Sequence, residues 1–195
     1  SSITFKEEDS NEKLNKNLRP EYIFKKSINT INYSHTENEY DDFLKEILLP
    51  YKQSTLGPFI SKADINSDGI DDIFIGGAYN QESQLFISSE KGFIKNESEC
   101  FKIDSNFEDM ESIFFDIDND NDLDIFVVSG GNELVNRSPE LADRVYLNDG
   151  QGNFIKDSQP DLENYTISGK TVTSIDFDND GDNDIIAVSY THLTL

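Results

Sequence analysis

A nine-residue acidic segment occurs three times in this chain and constrains its fold more than any other feature. The three copies are residues 64–72, 116–124 and 176–184. Each copy places oxygen-bearing side chains at positions 1, 3, 5 and 9, and an apolar run follows directly. Because so many carboxylates in one short loop repel each other, they favour a cation bound among them. The pattern therefore predicts three cation-binding loops, each of which opens a buried β-strand.

Calcium suits these loops because it accepts about six to eight oxygen ligands from carboxylates, amides and backbone carbonyls. Position 7 is Ile70 in the first copy, which can offer only its carbonyl oxygen, so we predict a backbone ligand at this position in every copy. Position 6 is Gly69, Asn121 or Gly181, and these residues tolerate the positive φ of a sharp bend. The predicted ligands of about three calcium ions are Asp64, Asn66, Asp68, Ile70 and Asp72 in the first loop, Asp116, Asp118, Asp120, Asp122 and Asp124 in the second, and Asp176, Asp178, Asp180, Asp182 and Asp184 in the third.

Other acidic loop classes fit less well. The EF-hand needs a Glu at position 12 and a helix on each side. Position 12 here is Ile75, Val127 or Ala187, each within an apolar run, so we exclude the EF-hand and dockerin classes. Thrombospondin-type repeats carry cysteines, whereas this chain has only Cys100, which we interpret as a packing residue. Acidic β-turns without a metal remain the open alternative.

The spacing of the loops indicates a repeat architecture. Consecutive loops start 52 and 60 residues apart, a period typical of propellers and other repeat arrays. The first two repeats each have an apolar strand before the loop, a glycine pair after it at residues 76–77 or 130–131, and then a further strand and turn. Residues 148–154 carry an Asn/Asp-Gly hairpin signal. We therefore predict an all-β fold, a partial β-propeller of about three four-stranded blades with calcium-binding loops.

The N-terminal part of the chain follows a different pattern. Residues 6–19 are highly charged and predict a solvated linker, and short strands are predicted around residues 3–5 and 31–33. Apolar residues at helical spacing within residues 40–49 predict a short helix. We expect residues 1–30 to be a polar segment, either a linker or the end of a preceding blade. Residues 31–195 are then the propeller segment, truncated in its last blade, and residues 189–195 do not continue the repeat.

The charge balance limits the partners of the chain. It has 39 acidic and 16 basic residues and a formal net charge of −23. Such a surface repels the phosphate backbone of DNA and RNA as well as anionic lipid. No apolar run approaches the ~18 residues of a membrane-spanning helix. We predict no nucleic-acid partner and no direct membrane insertion.

The sequence contains no recognisable catalytic constellation. The two histidines, His35 and His192, do not lie in a Ser/His/Asp or Cys/His pattern, so we predict that the chain is not an enzyme. Glycoside hydrolysis uses paired carboxyl groups, but a carboxylate bound to calcium stays ionised and is a poor general acid. Glu108, Glu111 and Glu133 lie outside the loops, and we interpret them as solvated loop residues.

The loops and the segments that flank them resemble the FG-GAP or VCBS repeat, best known from the propeller of the integrin α-chain. Some connecting motifs are closer to bacterial VCBS-repeat proteins of the ASPIC/UnbV-associated kind. The motifs that carry the resemblance occur in the order of the family, and they are LLP at 48–50, STLGP at 54–58, FIGGA at 74–78, SGGNE at 129–133, DRVYLNDG at 143–150 and GNF at 152–154. Asn66 in place of Asp and Asn121 in place of Gly are mild departures.

The resemblance implies a fold, a location and a class of partner. It implies calcium-binding blades of a β-propeller in an extracellular, cell-surface or periplasmic protein of bacterial origin. It also implies binding or adhesion to a protein or glycan ligand, with the metal in a structural role. The alternative is a propeller-type polysaccharide lyase or hydrolase.

Overall fold

The computed structural model describes residues 31–189. The predicted strand at residues 3–5, the predicted linker at residues 6–19 and the C-terminal residues that include His192 lie outside this range. The division of the chain at residue 30 stays a prediction. Within residues 31–189, no helix is both long enough and apolar enough to span a membrane.

The described part of the chain is built from antiparallel β-sheets. The strands are, in chain order, β1 (Ile60–Ala63), β2 (Asp72–Ile75), β3 (Gln84–Ser89), β4 (Gly92–Asn96), β5 (Asp109–Phe115), β6 (Asp124–Ser129), β7 (Arg144–Leu147), β8 (Ile155–Asp157), β9 (Gly169–Ile175) and β10 (Asp184–Ser189). Sheet 1 contains β1 to β4, sheet 2 contains β5 to β8, and sheet 3 contains β9 and β10. Within each sheet, every strand pairs with the next one along the chain, which is the meander of a propeller blade.

Helices are short and lie in the connections. They are α1 (Asp42–Lys45), α2 (Glu99–Ile103), α3 (Pro160–Glu163) and a 3₁₀ turn at Pro139–Leu141. The helix predicted within residues 40–49 is reduced to the four residues of α1. Leu44, Ile47 and Leu48, which gave the helical spacing, are more than 80% exposed, so no buried face extends that helix. The strand predicted at residues 31–33 is wrong, because residues 31–40 have no regular secondary structure.

Sheet 2 lies between the other two sheets and is buried on both faces. All six residues of β6 are buried, which explains its continuous apolar run. The corresponding strand β10 carries a similar run, but its residues are exposed or half-buried. The difference arises because, among the residues that the structure describes, sheet 2 covers only one side of sheet 3. Within this range sheet 3 has two strands, β9 and β10.

A first core cluster fills the space between sheets 1 and 2. Phe101 is 2% exposed and lies at its centre, with its ring 5.4 Å from the ring of Phe74 and 5.1 Å from that of Tyr146. Cys100 packs against this cluster, as predicted for a packing residue, and burial raises the pKa of its thiol to about 11. These contacts join consecutive sheets through apolar burial.

A second core cluster joins sheets 2 and 3. Met110, Phe126 and Val145 come from sheet 2, and Val172 comes from β9. All four side chains are buried. The core therefore lies between the sheets, so each sheet buries its faces against its neighbours in the manner of adjacent blades.

The first strands of the three sheets lie side by side. Strand β5 packs against β1 on one side and β9 on the other. The hydroxyl oxygens of Ser61 and Ser112 are 2.6 Å apart, and the Glu111 carboxylate accepts from the Thr171 hydroxyl and, at 2.8 Å, from the amide of Val172. In a β-propeller, the innermost strands of neighbouring blades lie side by side in this way around a common axis.

A buried ionic contact ties sheet 1 to sheet 2. The guanidinium of Arg144 donates to Asp109 and lies 4.3 Å from the centre of the Phe107 ring. Asp109 also accepts from the hydroxyl of Ser83 and, at 2.9 Å, from the amide of Gly77, both in the first repeat. The Asp109 carboxylate thus accepts three hydrogen bonds, which offset part of the cost of burying the pair.

Candidate metal loops

The three acidic loops occupy equivalent places in the fold. Residues 64–71 connect β1 to β2, residues 116–123 connect β5 to β6, and residues 176–183 connect β9 to β10. Each loop therefore joins the innermost strand of a sheet to the second strand. Because the sheets are arranged in the same sense, the loops lie at the same end of the strands.

The position-1 carboxylate organises each loop in the same way. Its two oxygens accept hydrogen bonds from the backbone amides of positions 5 and 6. The distances are 3.0 and 2.8 Å for Asp64, 3.1 and 3.0 Å for Asp116, and 3.2 and 3.3 Å for Asp176. The position-5 carboxylate then accepts from the amide of position 7, at 2.9, 3.1 and 3.2 Å in the three loops. The loops share one internal hydrogen-bond scaffold.

Two residues in each loop have a left-handed backbone. The positive φ expected at position 6 is present in Gly69, Asn121 and Gly181, with values of 87°, 73° and 101°. Position 4 also has a positive φ, which our sequence analysis missed. The residues there are Ser67, Asn119 and Asn179. The Asn residues at position 4 carried the signal, since Asn tolerates this region better than most residues.

Position 9 anchors each loop to its sheet. Asp72 and Asp124 are at most 1% exposed, and one oxygen of each accepts from the amide of position 2, at 3.3 and 2.9 Å. The other oxygen accepts from a backbone amide in or next to the third strand of the same sheet. For Asp72 this is the amide of Ser88 in β3, at 2.6 Å, and for Asp124 it is the amide of Asn148, just after β7, at 2.8 Å. Burial, together with nearby loop carboxylates, raises the pKa of both groups. In the third loop Asp184 accepts from Phe177 at 2.8 Å.

The loops bring carboxylate oxygens close together. In the second loop one ligand atom from each of positions 1, 3 and 5 lies within 4.8 Å of the others, and in the third loop the same holds for positions 1, 3 and 9. The first loop has Asn66 at position 3, and its side-chain oxygen accepts from Asp68 at 3.0 Å beside Asp64. The all-oxygen donor set fits a hard cation such as calcium. The full ligand sets stay predictions.

The side chain of Asp122 lies among other carboxylates of the second loop. Its Oδ1 is buried and has no hydrogen-bond partner. Burial and the neighbouring carboxylates of Asp120, Asp124 and Asp118 raise the pKa of Asp122 to about 6. A cation among these oxygens would favour the ionised form and relieve the repulsion.

The apolar residue at position 2 behaves differently in the last loop. Ile65 is 2% exposed and belongs to the first core cluster, and Ile117 packs against the second. Phe177 is 78% exposed, so position 2 does not lie in the core in the third loop. The physical reason is that no described sheet covers that face of sheet 3.

Comparison with known proteins identifies the repeat. A family model described as an FG-GAP-like repeat matches residues 64–127 and again residues 116–187, and each match begins at the first residue of an acidic loop. The chain belongs to the FG-GAP-like repeat family. No curated protein matches the chain. The family-level resemblance is thereby confirmed, and the FG-GAP-like repeats make sheets 1, 2 and 3 successive blades of a β-propeller-like fold.

FG-GAP-like repeats of this kind often bind calcium and are typical of extracellular proteins. The acidic clusters of the second and third loops are compatible with that property. Their donors come from one loop each, so each ion would belong to one repeat. The metal would supply charge neutralisation and would cross-link the two strands that the loop connects.

The opposite end of the strands carries groups that our sequence analysis placed wrongly. Glu108, interpreted as a solvated residue, is 4% exposed, and Glu111 lies in β5 and accepts hydrogen bonds from β9. The signal was the glycine pair of the repeat, because a Cβ on Gly76 would lie 2.8 Å from the Cβ of Asp109, and one on Gly131 would lie 2.1 Å from Glu108 Oε2. Acidic side chains thus approach one glycine of each pair, Gly76 or Gly131, while the other glycine is approached by backbone atoms or, at Gly130, also by Met110.

A groove of about 320 Å³ opens at this same end, next to the second glycine pair. Its lining includes amides, hydroxyls, one carboxylate (Glu46) and three basic side chains. Among the polar and basic residues of this lining are Lys45, Gln53, Asn132, Arg137, Ser168 and Lys170. Basic residues are few in a chain with a net charge of −23, and three of them line this groove. The electrostatic potential of the groove is therefore less negative than that of the acidic loops.

Proposed function

We propose that this chain is a calcium-binding β-propeller module that binds a protein or glycan ligand and in which the metal has a structural role. The observation that carries the proposal is the shared scaffold of the three loops, in which positions 1 and 5 accept the same backbone hydrogen bonds. Only oxygen donors line these loops, which is the chemistry that calcium prefers.

A structural role for the metal follows from where the loops are anchored. The buried position-9 carboxylates of Asp72 and Asp124 connect the loop to the second strand and to the third-strand region of the same blade. An ion held by the predicted ligands, which run from position 1 to position 9, would add a connection between the first and second strands of the blade, which the loop joins. Because the ion binds the folded loop and not the unfolded chain, its binding free energy adds to the free energy of unfolding.

The metal part of the proposal is tested by calorimetry and thermal melting. Calcium titration of the chelator-treated protein should give heat from about three sites, and the melting temperature should rise with calcium concentration. A matched control is Glu90→Gln, which removes an exposed carboxylate outside the loops and should leave the calcium response unchanged. A melting temperature that is the same in calcium and in chelator would refute the proposal.

The groove beside the second glycine pair is the surface that we propose for the ligand. Its amide and hydroxyl groups can hydrogen-bond sugar hydroxyls, and Lys45, Arg137 and Lys170 favour a ligand that carries carboxylate or sulfate groups. An acidic polysaccharide or an acidic protein segment fits this description. The rest of the acidic surface would repel such a ligand, which would confine its binding to the groove.

Binding is tested with a panel of neutral and acidic polysaccharides. Arg137→Gln should weaken binding of the acidic members about tenfold, whereas Lys91→Gln, in the β3–β4 turn of blade 1, should not. The same samples should be assayed for new reducing ends and for unsaturated products. Cleavage would support the alternative of a propeller-type lyase or hydrolase, and equal binding by the two variants would refute the groove as the site.

We propose an extracellular, cell-surface or periplasmic location in a bacterium, which matches the typical setting of FG-GAP-like repeats. Exposed calcium loops of extracellular modules bind with dissociation constants of about 10⁻⁴–10⁻³ M. Two of the three position-3 residues, Asp118 and Asp178, belong to exposed parts of the loops, which suits this affinity range. A submicromolar dissociation constant would instead favour a site filled at cytosolic calcium concentrations.

A further inference from the structure

Two glutamates converge at the end of the strands opposite the acidic loops. Glu108 directly precedes β5, and Glu133 follows the second glycine pair. A Cβ built on Gly131 would lie 2.1 Å from Glu108 Oε2 and 2.9 Å from Glu133 Oε2, so the two oxygens are within about 5 Å of each other. Gly131 has a φ of 92°, and its missing side chain leaves room for both carboxylates.

One oxygen of the Glu108 carboxylate, Oε2, lacks a hydrogen-bond donor in the described part of the chain, and a side chain within hydrogen-bonding reach of the carboxylate is that of Glu133. Glu108 is 4% exposed, and its Oε2 is buried without a hydrogen-bond donor. Glu133 is half-buried and has one donor to its Oε2, the amide of Asn132 at 2.9 Å. The ion pairs among residues 31–189 include none to either glutamate. Buried carboxylates are normally paired or ligate a cation, so this oxygen needs an explanation.

The charges around Glu108 are negative. Its charged neighbours are Glu133, Glu37 and Asp109, and burial followed by Glu133 raises the pKa of Glu108 to about 9. Asp109 is already paired with Arg144, and Glu37 lies 2.7 Å from a ring nitrogen of His35. The remaining charge is concentrated on the glutamate pair, which a cation would neutralise.

We propose that Glu108 and Glu133 bind a divalent cation at the end of blade 2 opposite its acidic loop. Carboxylate oxygens are the ligands of a hard cation such as calcium or manganese, and the half-buried side of Glu133 leaves solvent access for water to complete the coordination. The site is separate from the loop at residues 116–124, because the seven residues of β5 span about 20 Å between them. It does not depend on the loops.

The proposal is tested by following backbone amides in ¹H–¹⁵N spectra during calcium titration of the chelator-treated protein. The amide of Gly131 should shift with its own midpoint, while the amides of Gly69 and Gly181 report on the first and third acidic loops. Glu108→Gln and Glu133→Gln should each weaken the Gly131 response about tenfold and leave both loop responses unchanged. The control Glu90→Gln should preserve all three responses.

Two results would overturn the proposal. One is a Gly131 amide that does not respond to about 10 mM calcium, well above the range of extracellular sites, since the pair would then share a proton only. The other is a response that persists with the same midpoint in both glutamine variants. Glu133→Gln alters a half-buried side chain, so it keeps the test valid if Glu108→Gln fails to fold. Failure of the loop amides to respond would refute calcium binding by the loops and leave the glutamate site standing.

Discussion

The position-9 aspartate of the second loop gives the sharpest test of how the loops are built. Asp124 is 1% exposed and accepts from the amide of Ile117 at 2.9 Å and from the amide of Asn148 at 2.8 Å. Asn in its place has one acceptor oxygen, so one of these amides would face an NH₂ group. We therefore expect Asp124→Asn to destabilise the protein even when no calcium is present.

The expected loss follows from the two hydrogen bonds. A hydrogen bond to a charged acceptor contributes about 1.5–3 kcal/mol, and a buried amide without an acceptor costs about 1–3 kcal/mol. Part of this is offset, because burial and the carboxylates of Asp118 and Asp120 already raise the pKa of Asp124 and disfavour its charge. We expect a net decrease of about 2 kcal/mol in the free energy of unfolding.

The assay is urea unfolding at neutral pH in excess chelator, with Asp118→Asn as the matched control. Asp118 belongs to the same loop but is exposed, and the first loop already carries Asn66 at this position. The control removes a repulsive charge and should change the free energy of unfolding by less than about 0.5 kcal/mol. If Asp124→Asn is as stable as Asp118→Asn in chelator, position 9 is not an anchor and the reasoning is wrong.

Three further predictions concern the sheets. Burial raises the pKa of Asp143 to about 6, so the folded protein loses stability as the pH rises from about 4 to 6 and this carboxyl group ionises. Asp143→Asn keeps an acceptor for the amide of Ser129. In urea unfolding it should be more stable than wild type by about 2 kcal/mol at pH 7 and by much less at pH 4. Arg144→Met should lower the free energy of unfolding by about 3–5 kcal/mol, because Asp109 loses its buried counter-ion; a loss below 1 kcal/mol would contradict this. Phe177 is 78% exposed, although the equivalent residue of the first repeat, Ile65, is in the core. The chain should therefore associate with a second copy through this face. Phe177→Ser should reduce that association in sedimentation velocity, and an unchanged sedimentation coefficient would contradict the prediction.

The features that the sequence predicted well are local ones. The loops follow from oxygen donors at alternate positions, and the sharp bend follows from Gly69, Asn121 and Gly181 at position 6. The apolar runs after each loop became β2, β6 and β10. Such signals depend on residues within about ten positions of each other, where side-chain period and backbone preference decide the structure.

The features that the sequence did not predict depend on neighbouring sheets. Leu44, Ile47 and Leu48 have helical spacing, but they are exposed because no element packs on them in the described part of the chain. In the sequence Glu108 looks like an ordinary acidic residue, but its burial depends on Gly131, which is 23 positions away in the chain and lies at the same end of the sheet. Periodicity cannot distinguish a buried face from an exposed one without knowledge of what lies opposite.

The two ends of blade 2 handle negative charge by different physical means. At the loop end, Asp116, Asp118 and Asp120 point their oxygens at one another in an exposed loop, so a cation can enter and leave with little change in the core. At the opposite end, Asp109 is neutralised permanently by Arg144 inside the protein. Glu108 has neither solvent nor a basic partner, although it is next to Asp109 in the chain. Neutralisation of that carboxylate must therefore come from a proton or a bound cation, and the two differ in their response to calcium at constant pH.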